Sequence, residues 1–210
     1  AFVLRSLPRL GAAIILPASD AKMRGTEVEI KLPVASAEAI RRRLAQMGFR
    51  VSQQRHFEQN TLFDTPNRRL RRMRLMLRLR VVNGRAVLTF KGPARASPHY
   101  KVRAEVETPV ASAPAACKIL VGLGLEPSFR YEKYRTAFVR GRESGEVLID
   151  ETPIGTFVEL EGPPNWIRRV AQALGHRPAE FVTSTYAELY QAWRRRRSGP
   201  ARAMLFRRKP

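Results

Sequence analysis

The chain has 210 residues, 44% of them hydrophobic, enough for one domain with a sizeable core. Its formal net charge of +21 is unevenly placed. The first 24 residues hold four basic groups and one acid, and Arg194 to Pro210 holds eight basic groups and no acid. The remainder still carries about +10, which points to an anionic partner. A single cysteine, Cys117, excludes an intramolecular disulfide and any cysteine-cluster metal site. In the apolar run CKILVGLGL it reads as a buried structural thiol. No run is long enough for a membrane-spanning helix.

Arg5 and Arg9 precede a short apolar stretch, a faint echo of a secretion signal. The preferred expectation is that Met23 is the natural start, with upstream readthrough or a disordered arm before it. Residues 1–24 are then an extension, 25–193 a single domain and 194–210 a basic, disordered tail; a cytoplasmic protein is expected. The first strand is EVEIKL, where Glu27, Glu29 and Lys31 alternate with Val28, Ile30 and Leu32. SAEAIRRRLAQMG follows as a helix, with Ser36 as N-cap, Ile40, Leu44 and Met47 on one face, and Gly48 at its end.

After the β-rich NTLF, Asp64 to Asn67 reads as a turn, and Asn83-Gly84 joins LMLRLRVV to RAVLTFKG as a two-residue hairpin. VRAEVETPV leads into SAPAACKILVGLG, and FVELEGPP leads into NWIRRVAQALG, repeating the strand, break and helix of the first segment. Gly141 to Gly145 and Gly155 punctuate the strands YRTAFVR, EVLIDE and TFVELE. TSTYAELYQAW is the last helix. About eight strands and three or four helices in this order fit an α+β fold, an antiparallel closed β-barrel with helices packed outside.

Charges of period two recur along the strands. The basic set is Lys31, Arg78, Arg80, Lys91, Arg103, Lys133 and Arg135; the acidic set is Glu27, Glu29, Glu105, Glu107, Asp150, Glu159 and Glu161. On any one strand a solvated face is the ordinary explanation, with cross-strand pairs worth at most ~1 kcal/mol. Collectively that explanation fails, because an all-charged outer wall leaves the amphipathic helices nowhere apolar to pack. Turning the charges inward solves this and predicts a hydrated, charged tunnel. Arginine and lysine from several directions suit phosphate oxygens, and clustered carboxylates without cysteine or histidine suit Mg²⁺ or Mn²⁺.

The ordered set resembles the CYTH superfamily, the triphosphate tunnel metalloenzymes: Glu-x-Glu-x-Lys, Arg-x-Arg, Lys-Gly-Pro, Arg-x-Glu-x-Glu, Lys-x-Arg, a lone Asp, and Glu-x-Glu. The likeness runs from about Thr26 to Tyr190. It implies an eight-stranded tunnel holding a triphosphate through Lys31, Arg78, Arg80, Lys91, Arg103, Lys133 and Arg135. It further implies a metal on Glu27, Glu29, Asp150, Glu159 and Glu161, with Lys31 and Glu29 in catalysis and Glu105 and Glu107 orienting the basic groups. NTLFDTP and FKGP look most like class IV adenylate cyclases, which convert ATP to cAMP and pyrophosphate, and thiamine triphosphatases. Hydrolysis of tripolyphosphate, thiamine triphosphate or a nucleotide is the alternative, and a non-catalytic binder of polyphosphate or RNA the second. No base site is legible: Phe57, Phe63, Tyr100 and Phe129 suit the core better than a stacking role, and His56 and His99 read as incidental loop residues. A monomer or homodimer with no membrane partner is expected, and the basic tail offers non-specific nucleic-acid contact.

Overall fold

In the first strand both faces are covered, which is what a charged lumen under an apolar outer wall requires. Glu29 and Lys31 are 5% and 2% exposed, while Ile30 and Leu32 between them are wholly buried. The computed structural model describes residues 26–94, 99–197 and 203–207. The expected extension, residues 1–24, lies outside them. Eight strands build the barrel: β1 (Thr26–Val34), β2 (Arg50–Asp64), β3 (Met76–Val82), β4 (Arg85–Lys91), β5 (Lys101–Val110), β6 (Glu126–Val139), β7 (Glu146–Thr152) and β8 (Gly155–Glu161). Their order is β2-β3-β4-β5-β1-β8-β7-β6, every pairing is antiparallel, and β2 against β6 closes the ring.

Local chemistry sets the corners. Asn83 and Gly84 both take positive φ, 47° and 76°, as a two-residue hairpin turn demands. Ser36 caps α1 (Ala37–Gln46) by accepting from the Ala39 N–H at 3.2 Å, and Gly48 ends the turn with φ 80°. Ser112 caps α3 (Ala113–Gly122) in the same way, and α4 (Pro164–Ala173) begins on proline. A short helix, α2 (Arg69–Arg72), was not expected from the arginine-rich run after Asp64. It forms because the buried Asp64 carboxylate accepts from the backbone of Thr65, Leu70 and Arg71 at 2.8, 2.8 and 3.2 Å.

The apolar wall receives the helices. Leu44 of α1 with Ile167 and Val170 of α4 packs on Ile30, Leu32, Val147, Ile149, Val158 and Leu160. Leu120 of α3 packs on Leu79 and Ala86. Cys117 lies half-buried beside that cluster. Trp166 sits so close to the chain that a Cβ on Gly145 would lie 2.4 Å from its ring. Gly145→Ala is therefore expected to cost about 1–3 kcal/mol, read as a fall in Tm.

The last helix, α5 (Tyr186–Arg195), differs from the others. Phe129 and Tyr131 share the face of β6 that carries Lys133 and Arg135, so they point into the barrel. Tyr186 and Tyr190 pack on them, with Phe157 and Met204. α5 thus stoppers one end of the lumen with an apolar plug rather than joining the outer wall. Thr185 caps it, with Glu188 completing the box. The tail expected to lack structure from Arg194 onward carries two ordered pieces: α5 runs to Arg195, and β9 (Ala203–Met204) lies parallel to Arg130 and Tyr131. Burial of Met204 in the plug, at 1% exposure, is what anchors it.

Candidate active site and cation centre

The lumen encloses a chamber of about 410 Å³ lined by eight carboxylates and eight lysines or arginines. Cross-strand register fixes who meets whom. Lys31 stands opposite Glu159 and contacts it at 3.0 Å; Lys91 stands opposite Glu105 at 3.2 Å and reaches Glu27 at 2.6 Å. Arg78 and Arg80 both meet Glu107, at 3.2 and 3.4 Å. Such pairs are expensive to desolvate, and they persist because each charge has a partner or two.

One arrangement runs against this pairing. Glu29 and Glu161 are direct cross-strand neighbours, and Glu146 also faces Glu161. Like charges in register are destabilising. One carboxylate oxygen each from Glu27, Glu29 and Glu161 lies within 4.8 Å of the others. Burial and the negative charge of Glu27 push the Glu161 carboxyl up to about 8, although Arg135 works against this. Burial opposes ionisation of Glu29 too, but Lys31 at 3.2 Å and Lys101 at 2.8 Å hold it well below the usual carboxylate range. An oxygen-only trio strained by its own charge fits a hard divalent cation.

The sequence-derived metal set is divided in space. Glu27, Glu29 and Glu161 form this trio. Glu159 is held between Lys31 and Arg135. Asp150 does not line the chamber; fully buried behind it, it takes Lys133 at 2.8 Å, both donors of the Arg135 fork, and the Tyr186 hydroxyl at 2.7 Å. Six of the seven predicted phosphate ligands line the chamber: Lys31, Arg78, Arg80, Lys91, Lys133 and Arg135. Arg103 faces a second cavity of about 610 Å³, donating to the Gly92 and Arg74 carbonyls at 3.1 and 2.9 Å. Burial pushes the Glu105 carboxyl up to about 7 despite Lys91, whereas Arg80, the Thr89 hydroxyl and Arg78 outweigh burial and bring Glu107 down to about 2.

Sequence reasoning passed over Glu58, Lys101 and Tyr186. Lys101 continues the parity of Arg103, Glu105 and Glu107 and was legible on that ground. Glu58, 2% exposed, contacts Lys133 at 3.5 Å, but its strand is polar on both faces and hides the alternation. His56 lies in β2 rather than a loop and lines the chamber, its Nε2 3.4 Å from Glu58 and Nδ1 2.8 Å from the Gln54 carbonyl. His99 is exposed. Of the aromatic candidates, Phe57 packs on Tyr134 and Phe206, Phe63 lies under α3, Phe129 belongs to the plug, and Tyr100 borders the second cavity.

Fold and site together define a closed antiparallel barrel that is polar within and apolar without, with helices on the apolar side. Residues 25–174 match the CYTH domain family, and the chain belongs to it. It is 28% identical over 136 residues to the Methanocaldococcus jannaschii protein named "Putative adenylate cyclase", covering 64% of this chain and 75% of that one. A Vibrio parahaemolyticus structure titled a "putative adenylate cyclase" superposes with TM-score 0.70 at 22% identity, over 80% of this chain and 98% of that one. A Hippeastrum structure, titled as a "Putative adenylyl cyclase" that "reveals a dominant" triphosphatase activity, gives TM-score 0.57 at 19% identity, over 80% and 96%. At these identities the solved structures support the fold. Among the described residues no helix is long and apolar enough to cross a membrane.

Proposed function

We propose that this protein is a divalent-metal-dependent enzyme that hydrolyses a triphosphate in its lumen. The observation that carries the reading is the pairing of an acidic trio with a basic wall inside one chamber. Arg78, Arg80, Lys91, Lys133 and Arg135 converge on that chamber from three strands, and their donors suit the non-bridging oxygens of a phosphate chain. Lys31, fixed between Glu29 and Glu159, adds a charge whose direction cannot wander. Glu27, Glu29 and Glu161 would hold Mg²⁺ or Mn²⁺, which would supply charge neutralisation at the transferring phosphoryl group. The residues themselves bind, align and exclude bulk water, which is most of what phosphoryl transfer asks of a protein.

Hydrolysis is preferred to cyclisation because none of Phe57, Phe63, Tyr100 and Phe129 lines the chamber, and Tyr131 and Tyr186, which do, are packed into the plug. The second reading, cyclisation of ATP to cAMP and pyrophosphate, is favoured by Val82 and Val87, diagonal neighbours on β3 and β4 that give the lining an apolar part able to receive a base. Purified protein incubated with tripolyphosphate or ATP, with Mg²⁺, Mn²⁺ or chelator, separates these. Orthophosphate release supports hydrolysis; cAMP with pyrophosphate supports cyclisation. Binding without turnover, unchanged by chelator, would leave a non-catalytic polyanion binder.

The acidic lining also sets a pH dependence. Glu161 and Glu105 titrate higher when folded than the ordinary carboxylate, so each contributes stability that is fully present below the ordinary carboxylate range and lost progressively as pH rises to about 8 and about 7. Chelated protein is therefore expected to lose Tm from about pH 5 up to about pH 8 and to level off above it. Added Mn²⁺ should restore more Tm at pH 8.5 than at 6.5, since it competes with a proton. An equal Mn²⁺ increment at both values would remove Glu161 from the cation site.

A further inference from the structure

The run from Arg68 to Arg74 places five arginines in seven residues, and Arg194–Arg197 places four in a row. They are about 120 residues apart in sequence, yet the fold sets them side by side: Arg71 of α2 donates to the Gln191 side chain of α5 at 3.0 Å. One helical turn beyond Gln191 lies Arg195. Arg69, Arg71, Arg72 and Arg74 are exposed on the first element, and Arg195 to Arg197 on the second.

The acids nearby answer only part of this charge. Asp64 is buried under α2 holding its backbone, Glu188 caps the start of α5, and Glu126 meets Arg68 at 3.3 Å. The α2 turn is also built at a cost. Arg68 and Arg74, at its two ends, adopt left-handed backbone with φ 59° and 58°, about 1 kcal/mol each for residues with a Cβ. A chain that only needed to turn here would place glycine or asparagine at such positions and would not crowd like charges together. Arginines fixed on a rigid backbone lose less entropy on meeting phosphate than arginines on a free tail.

We infer that α2 and the C-terminal turn of α5 form one arginine ridge that binds the sugar-phosphate backbone of nucleic acid, without sequence preference. The ridge lies outside the chamber, so this does not rest on the enzymatic reading. Binding of a labelled 20-nucleotide RNA, followed by fluorescence anisotropy, is expected to fall steeply with salt, as counterion release requires. Arg69→Glu and Arg195→Glu, one from each element, should each weaken it about tenfold at 100 mM salt and leave tripolyphosphate turnover unchanged. Arg42→Glu on α1, also exposed and basic, is the control. Three results would overturn the inference: equal loss with the α1 variant, which means net charge alone; full binding in both ridge variants with loss in Lys91→Ala, which means the lumen; or binding to phosphatidylserine vesicles but not to RNA.

Discussion

Glu29→Gln is expected to lower turnover of the triphosphate by ~10²–10³-fold, the scale of losing one preorganised electrostatic group. The substitution keeps the shape of the side chain and removes only its charge. Glu29 is shared by the acidic trio, Lys31 and Lys101, so its loss weakens the cation site and frees two ammonium groups at once. Lys31 retains Glu159 at 3.0 Å, which keeps the strand pairing of β1 with β8 intact. The far-ultraviolet circular dichroism should therefore be unchanged while Mn²⁺ affinity falls at least tenfold. Full activity in this variant would remove the trio from the mechanism.

Asp150→Asn should have the largest effect on stability. Asp150 is wholly buried and answers Lys133, Arg135 and the Tyr186 hydroxyl. Neutralising it leaves two cations in a low-dielectric wall with less than their charge in return, a loss of about 3–5 kcal/mol. For a chain of this size that corresponds to about 6–20 °C in Tm. Because Asp150 stands behind the chamber, Mn²⁺ affinity measured below the new Tm should change little. A variant with normal Tm and lost Mn²⁺ binding would return Asp150 to the metal set.

Much of this architecture was legible in the chain, and the reason is the period of two. Glu27, Glu29 and Lys31 have to share a face, and so do Arg78 with Arg80 and Glu159 with Glu161. Only an inward assignment gave α1, α3 and α4 an apolar wall, and the structure has that wall. Periodicity says which face a residue takes but not how deep along the barrel it lies. That is why Asp150, Glu159 and Glu161 looked equivalent, and why only Glu161 joins Glu27 and Glu29. The same limit hid the direction of Arg103. β2 was mostly illegible, because its bulges break the alternation and its first half is polar on both sides. α5 looked like another outer helix, since nothing in TSTYAELYQAW distinguishes tyrosines that fill a lumen from tyrosines that cover a sheet.

Equal numbers of acidic and basic groups in the chamber have a consequence for how its guests arrive. A lone cation or a lone anion would unbalance an interior where imbalance is costly, whereas the two together nearly cancel. Each should therefore recruit the other, and linkage requires the effect to be mutual. Titrations of metal without phosphate, or phosphate without metal, would then understate both affinities, and the amount of folded protein would track the supply of the pair.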